Sequence, residues 1–320
     1  MRSSAVVLLA LLAACGADKT PPPPAPALPL GEAMLAVPGG NIWYKVSGTG
    51  KGLPVVLLHG GPGLSSFYMK PFENLGDDRI VVRYDQLGGG KSEKISDTAM
   101  FNIAHFVGEL DSLRSRLGYA KWHVVGHSWG TILALEYYRA HPDRVASLTF
   151  GSEVFDVPAY EARAKSLIFT LSDSAQKAIR KAESARKYDA PDYQNAITEF
   201  YAMYVFRRPV KADLDSTFAT MNEAIYNYMQ GPSEFTITGT LKHYDVTAFL
   251  PSITVPTLFT VGEFDEVGPE IVKRHAALVK GARRVEFSGS AHMTPWDATD
   301  ENLQAVRSFL RAADPVKAAP

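Results

Sequence analysis

The residues best suited to covalent chemistry stand at positions 126–130, where the sequence reads Gly-His-Ser-Trp-Gly. A short apolar stretch, residues 122–125, precedes this G-x-S-x-G pattern, and an apolar stretch suited to a helix follows it. This order predicts a nucleophile elbow, a sharp turn between strand and helix that exposes Ser128 above a sheet. Gly126 and Gly130 lack Cβ atoms, so the strand and the helix can approach closely. The start of the helix favours developing negative charge, which suits Ser128 to attack a carbonyl carbon.

A serine nucleophile needs a base that accepts its proton, and His292 is the candidate. His292 ends the sequence Ser-Gly-Ser-Ala-His, which follows residues 284–287, the last predicted strand. Ligands of open α/β sheets bind at the carboxyl ends of the strands. We therefore expect His292 to take the proton of Ser128 and later return it to the leaving group.

The acid that orients the histidine is expected in the loop after the predicted strand 257–261, which reads Gly-Glu-Phe-Asp-Glu. Serine, then acid, then histidine is the chain order of a hydrolase class built on an α/β sheet. Asp265 is the preferred acid because of its spacing from the strand end. Glu263 and Glu266 remain open as alternatives.

An acyl-transfer site also needs backbone N–H groups that stabilise the oxyanion. The residue after the nucleophile, Trp129, is predicted to supply one of them. The second is expected from the loop after the apolar strand 55–58. Pro62 has no N–H group, so Gly61 is the better candidate in that loop.

The composition is that of an ordinary globular protein with a large core. The chain has 320 residues, of which 46% are hydrophobic and 21% charged, with a formal net charge of -1. The balanced charge gives no indication of a nucleic-acid partner. The single cysteine excludes an intramolecular disulfide, and no His-Glu-x-x-His run is present, so we expect neither a metal nor a cofactor.

The first residues are predicted to be a targeting signal. Arg2 precedes an apolar run, residues 5–14, that is too short to span a bilayer. The run ends in Leu-Ala-Ala-Cys-Gly, which resembles the cleavage box of bacterial lipoproteins. Residues 1–15 are therefore assigned to a lipoprotein-type signal peptide, and Cys15 to lipidation. A signal that is simply cleaved is the alternative.

Residues 16–34 are rich in proline and are predicted to form an extended linker. The chain is thus expected to be exported and, by the lipoprotein resemblance, to be anchored through Cys15 in a bacterial envelope membrane. Gly16 after the cysteine resembles the pattern that directs lipoproteins to the periplasmic side of the outer membrane.

Alternating strand and helix patterns in the rest of the chain predict an α/β fold with a mostly parallel, doubly wound sheet. This core is assigned to residues 35–155 and 246–314. The segment between them, residues 156–245, breaks the alternation and is predicted to be an all-helical cap that covers the active edge of the sheet. Four helices are expected in it, over residues 158–171, 172–188, 191–206 and 213–230.

Five motifs carry a resemblance to a known family. They are His-Gly-Gly-Pro-Gly at 59–63, Asp-Gln-Leu-Gly-Gly-Gly-Lys-Ser at 85–92, Gly-His-Ser-Trp-Gly at 126–130, Gly-Pro-Ser-Glu-Phe-Thr-Ile-Thr-Gly at 231–239 and Gly-Glu-Phe-Asp-Glu-Val at 262–267. Together they resemble the proline iminopeptidase family of α/β-hydrolases, over roughly residues 35–310. The last two are similar to the branch that holds tricorn-interacting aminopeptidases and L-amino-acid amidases. Leu87 is a departure, since many relatives carry arginine there.

The resemblance implies an α/β-hydrolase fold with an inserted helical lid. It also implies cleavage of an N-terminal residue, often proline, from short peptides or amides. It assigns Glu234 and Glu266 to the free amine of the substrate. This assignment is chemically reasonable, because a prolyl ammonium offers two N–H donors and each carboxylate can accept one.

Two other functions stay open. An L-amino-acid amidase or an esterase could use the same serine, acid and histidine, and a requirement for a free α-amine separates these from an aminopeptidase. A non-catalytic ligand-binding module on this fold is the alternative of a different class. Residue preference, peptide length and oligomeric state are not predicted.

Overall fold

The computed structural model describes residues 30–209 and 211–315. The predicted signal peptide with Cys15, and the predicted linker up to residue 29, lie outside the described residues and stay predictions. Within the described ranges, no helix combines the length and the apolar character needed to cross a membrane.

The core of the fold is one sheet of eight strands, at least as far as the described residues go. Along the chain the strands are β1 (Gly31–Val37), β2 (Gly40–Ser47), β3 (Gly52–Leu58), β4 (Arg79–Asp85), β5 (Trp122–His127), β6 (Val145–Gly151), β7 (Thr257–Gly262) and β8 (Arg283–Phe287). Their order across the sheet is β1-β2-β4-β3-β5-β6-β7-β8. Strands β1 and β2 pair antiparallel, as do β2 and β4, whereas the neighbours from β4 through β3 to β8 are parallel. The mostly parallel sheet is thus confirmed.

Ten α-helices accompany the sheet in the described part of the chain. They are α1 (Ile103–Arg116), α2 (Trp129–Ala140), α3 (Val157–Ile168), α4 (Asp173–Ala185), α5 (Pro191–Tyr204), α6 (Ala212–Ala219), α7 (Glu223–Met229), α8 (Pro269–Leu278), α9 (Thr294–Asp297) and α10 (Thr299–Ala313). Every residue of β5 and β7 is buried, as expected when helices cover both faces of a parallel sheet.

The winding of the sheet reverses around β3. Strand β4 lies on one side of β3, and β5 to β8 lie on the other. Such a reversal leaves a crevice at the carboxyl ends of the two strands on either side of it, here β3 and β5. The loops that follow these two strands contain Gly61 and Ser128, so the topology itself brings the candidate oxyanion loop to the candidate nucleophile.

Helices α3 to α7 form the segment inserted between β6 and β7. Asp156 and Asp245, at its two ends, form an isolated β-bridge. The prediction of a single helix over residues 213–230 was wrong, because two helices, α6 and α7, occupy this range. Asn222 interrupts it: its backbone is extended, and its side-chain oxygen accepts hydrogen bonds from the N–H groups of Ala224 and Ile225.

Strand β1 corrects the predicted linker boundary. It begins at Gly31, inside the segment assigned to a linker that reaches residue 34. Its seven residues pair with β2 from Gly31–Val46 to Val37–Gly40. The proline-rich composition that indicated the linker ends at Pro29, and the residues after it can join a ladder.

Candidate active site

The turn between β5 and α2 has the geometry of a nucleophile elbow. Ser128 adopts φ 55° and ψ -128°, a combination that L-residues rarely adopt. Its N–H donates to the carbonyl of Gly151 at 2.9 Å. A Cβ atom on Gly126 would lie 2.3 Å from the oxygen of Gly130, and one on Gly130 would lie 2.2 Å from the oxygen of Leu58. Both glycines are therefore needed for the close approach of strand, turn and helix.

The loops after β7 and β8 bring an aspartate to a histidine. Nδ1 of His292 lies 2.9 Å from Oδ1 of Asp265, and both side chains are buried. The N–H of Val267 also donates to Oδ1 of Asp265, at 3.0 Å. A carboxylate only accepts hydrogen bonds, so the proton of the neutral imidazole belongs on Nδ1. Nε2 is then left unprotonated and suited to act as a base.

The two alternative acids lie elsewhere in the same loop. Glu263 is exposed, and its carboxylate accepts from the N–H of Gly289 at 2.8 Å. Glu266 is buried, but its Oε1 lies 3.9 Å from Nδ1 of His292, beyond hydrogen-bonding distance. Of the three acids, the structure brings Asp265 into contact with His292.

Ser128 and His292 line one cavity of about 600 Å³ between the sheet edge and the inserted helices. The inserted segment contributes Glu234 and Tyr226 to its wall. The described residues include no hydrogen bond from the serine hydroxyl to the histidine. In hydrolases this bond is often long until substrate is in place.

The aspartate and the histidine shift each other's pKa in opposite directions. Burial lowers the pKa of His292, but the charge of Asp265 and its hydrogen bond outweigh burial and raise that pKa above its usual value. Burial raises the pKa of Asp265, and the positive charge of His292 outweighs this effect, so the pKa is held below its usual value. The pair is thus arranged to stabilise an imidazolium beside a carboxylate, the state that proton transfer from serine creates.

This pairing predicts a specific pH dependence. Only neutral His292 can accept a proton, and Asp265 stabilises its cation. Activity should therefore fall on acidification, and the midpoint of this acidic limb of the pH profile should lie above about 6.5, the usual histidine pKa. The limb is measured with an uncharged ester from about pH 5 to about pH 9, which avoids titration of a substrate amine. Asp265→Asn should move the limb to lower pH and reduce kcat by about 10⁴-fold. A wild-type limb below the usual histidine pKa contradicts the prediction.

The candidate oxyanion donors lie next to the nucleophile. Gly61, Trp129 and Ser128 together line a second, narrow pocket. The N–H of Trp129 belongs to the first turn of α2, where helix N–H groups have no partner within the helix. Gly61 has φ +115°, which favours glycine at this position. A Cβ atom on the preceding Gly60 would lie 2.9 Å from Cβ of Ser128, so the loop passes directly over the serine.

Gln86 connects the loop after β3 to the side chain of Trp129. Its side chain donates to the carbonyl of His59 at 3.0 Å and accepts from Nε1 of Trp129 at 2.8 Å. The neighbouring Leu87, the departure noted in the motif at 85–92, is buried, and its N–H donates to Glu109 at 3.0 Å. Burial raises the pKa of Glu109 to about 8, so this carboxyl is protonated at neutral pH and needs no cation beside it.

The two carboxylates assigned to the substrate amine differ in position. Glu234 lies on the cavity wall, where its Oε1 accepts from the hydroxyl of Tyr226 at 2.6 Å and its Oε2 from that of Tyr160 at 2.7 Å. Glu266 is fully buried, and neither of its carboxyl oxygens has a partner among the described residues. Burial, followed by the charges of Glu234 and Asp265, raises the pKa of Glu266 well above its usual value. The two carboxyl groups are therefore near neighbours.

Asp297 is a supporting residue that sequence reasoning missed. Its buried carboxylate accepts from the N–H groups of Arg207, Arg208 and Ala291, each at 2.9 Å. These bonds connect the chain after α5, in the inserted segment, to the loop that carries His292. The only signal in the sequence is the position of Asp297 five residues after His292.

The sequence is similar to proteins that are named as proline iminopeptidases. A family model described as the alpha/beta hydrolase fold matches residues 54–299. The proline iminopeptidase of Heyndrickxia coagulans is 36% identical over 284 residues, which are 88% of this chain and 99% of that protein. The proline iminopeptidase of Saccharolobus solfataricus is 37% identical over 286 residues, 87% of this chain and 92% of that protein.

A solved structure supports the same relationship. The crystal structure of the proline iminopeptidase of Mycobacterium smegmatis matches with a TM-score of 0.82 at 29% identity, and the match covers 89% of this chain and 99% of that chain. The similarity therefore extends over the sheet, the elbow and the inserted helices alike. On its sequence and its fold, the chain belongs to the proline iminopeptidase family of α/β-hydrolases.

Proposed function

We propose that the protein is a serine aminopeptidase that releases an N-terminal proline or another small apolar residue from short peptides or amides. The observation that carries the proposal is the position of Glu234, whose carboxylate lines the same cavity as Ser128 and His292. An aminopeptidase must recognise a charged α-amine close to the scissile bond, and a carboxylate accepts a charge-assisted hydrogen bond from it. The names of the relatives support the same substrate class.

The chemistry follows from the arrangement around the serine. Ser128 attacks the carbonyl carbon while Nε2 of His292 takes its proton, and the N–H groups of Gly61 and Trp129 donate to the oxyanion. The imidazolium then gives the proton to the leaving nitrogen, and the C–N bond breaks to leave an acyl-enzyme. Water, deprotonated by the same histidine, then attacks the ester carbonyl, and the imidazolium returns the proton to the oxygen of Ser128 as the C–O bond breaks and the amino acid leaves.

Glu266 is proposed as the second acceptor for the substrate amine. A buried carboxyl without a hydrogen-bond partner is costly, and burial together with the charges of Glu234 and Asp265 raises its pKa. A substrate ammonium beside it lowers that pKa and allows the ionised form. A prolyl ammonium has two N–H donors, so it can satisfy Glu234 and Glu266 together.

A small apolar pocket supports the preference for small residues. It borders Ser128 and Glu234, the two groups that fix the carbonyl and the amine of the first residue. Its lining includes four buried aliphatic side chains, those of Ile132, Val154, Val157 and Leu241. The pocket leaves little free space, so a larger side chain must displace more packed atoms than a small one, at a cost of about 1–3 kcal/mol.

The experiment that tests the proposal compares prolyl, alanyl, leucyl and phenylalanyl anilides with wild-type enzyme. We expect the prolyl and alanyl anilides to be cleaved with kcat/KM about 10- to 100-fold above the leucyl and phenylalanyl ones, because the pocket is small. Faster cleavage of the two bulky anilides contradicts the proposed residue preference.

The alternatives give different results in the same panel. An esterase on this machinery cleaves a simple acetate ester and none of the anilides, and a non-catalytic module leaves every substrate intact. The proposal that the protein acts outside the cytoplasm, anchored through Cys15, is supported by the N-terminal sequence pattern.

A further inference from the structure

A chain of hydrogen bonds runs beneath Ser128, from the loop after β3 to the loop after β8. The N–H of Gly60 donates to the hydroxyl oxygen of Tyr68 at 2.7 Å. That hydroxyl lies 2.9 Å from Nδ1 of His127, and Nε2 of His127 lies 2.9 Å from the carbonyl oxygen of His292. Tyr68 and His127 are buried, with 0% and 2% of their surface exposed.

The direction of each bond follows from the chemistry of the groups. A carbonyl oxygen only accepts, so Nε2 of His127 carries the proton and donates to His292. Nδ1 is then an acceptor, and the hydroxyl of Tyr68 must donate to it. The oxygen of Tyr68 remains free to accept from Gly60. Every group in the chain is satisfied in a single arrangement of protons.

The two ends of this chain of hydrogen bonds lie at the candidate oxyanion loop and at the loop of the candidate base. Gly60 immediately precedes Gly61, the candidate oxyanion donor, and its Cβ position lies 2.9 Å from Cβ of Ser128. His292 is the candidate base, and its carbonyl also accepts from the hydroxyl of Ser152 at 2.9 Å. We infer that Tyr68 and His127 are positioning residues that fix the oxyanion loop and the loop of the base relative to each other.

The inference rests on the proposed serine chemistry, in which the base becomes positively charged. His127 must keep Nδ1 unprotonated throughout, or the bond from Tyr68 is lost. Burial, reinforced by the charge of His292, lowers the pKa of His127 to about 3. The ring is therefore neutral at every pH at which the enzyme can work. The ring of His127 also lies 5.1 Å from that of His292, centre to centre, so the two rings pack against each other.

The test removes one hydroxyl from the chain with Tyr68→Phe. We expect kcat for the prolyl anilide to fall about 10- to 100-fold with KM changed less than about threefold, because the displaced groups act on the transition state. The inhibition constant of a proline boronic acid, which forms a tetrahedral adduct with the serine oxygen, should rise by the same factor. Tyr138→Phe is the matched control, since the hydroxyl of Tyr138 likewise accepts from a backbone N–H, that of Thr254 at 3.1 Å, away from the cavity.

A second variant tests whether the two residues act together. His127→Leu breaks the chain at its centre, and the double variant Tyr68→Phe/His127→Leu should be no slower than the slower single variant. Independent, multiplying losses overturn the inference, as does a lower melting temperature of Tyr68→Phe with kcat and boronate affinity unchanged. The kcat of each variant relative to wild type is also measured with an acetate ester. A loss on the ester supports the inference even if wild-type enzyme fails to cleave anilides, a result that contradicts only the proposed function.

Discussion

Replacing Ser128 with alanine should lower kcat for a prolyl anilide by about 10⁶-fold, the largest effect expected from any single substitution. The variant lacks the only hydroxyl at the elbow, and the remaining cavity can offer substrate binding and oxyanion donors but no covalent step. Steady-state assays of the purified variant measure the loss.

Covalent labelling provides the control for this prediction. A serine-reactive phosphonate should add one group to the wild-type protein, detected by intact mass and located at Ser128 by peptide mapping. The alanine variant should take up none while keeping the melting temperature of the wild type within a few degrees, since Ser128 is partly exposed. Residual activity above about one part in 10³ of wild type, or label on another residue, argues for a different nucleophile.

The second large effect concerns Glu234 and depends on the substrate. Glu234→Gln should lower kcat/KM for the prolyl anilide about 10²- to 10³-fold and change hydrolysis of an acetate ester less than threefold. Glutamine keeps the size of the side chain but removes the charge that faces the ammonium. It also has only one acceptor atom, so the present arrangement, in which Tyr226 donates to Oε1 and Tyr160 to Oε2, cannot be kept.

Glu223→Gln is the matched control for this experiment. Glu223 also lines the cavity, but it is exposed, so its charge is screened by solvent and its loss should change kcat/KM little. Equal losses on anilide and ester in Glu234→Gln contradict a role in amine binding. Equal effects of Glu234→Gln and Glu223→Gln on the anilide indicate instead that the cavity attracts cations without a specific amine site.

The positions of Ser128, Asp265 and His292 could be predicted because each follows a strand that the sequence marks clearly. A continuous apolar run identifies a strand buried on both faces, and the fold places catalytic groups directly after such strands. The two glycines of the elbow could be predicted as well. A Cβ atom at Gly126 or Gly130 would lie only 2.3 or 2.2 Å from a backbone oxygen, so the tertiary contact itself requires glycine. These residues are therefore recognisable from their neighbours in the sequence, although their roles depend on the folded structure.

Other features depend on contacts between distant segments and leave no local pattern. Tyr68 lies in no motif, and it meets His127 only because β3 and β5 are neighbours in the sheet. Asp297 gains its role from backbone groups of the inserted segment, 90 residues earlier in the chain for Arg207. The full burial of Glu266 is likewise a property of the packed loop, since the sequence around it shows an acidic turn like that of Glu263.

The most direct test of the proposed amine site compares a prolyl anilide with its N-acetylated form, using wild-type enzyme and the same leaving group. Acetylation removes the ammonium and leaves the scissile bond unchanged. We expect kcat/KM to fall by at least about 10³-fold, because Glu234 and Glu266 are then left without a cationic partner. Comparable rates on the two substrates contradict this proposal and identify the protein as an amidase or esterase without an amine site.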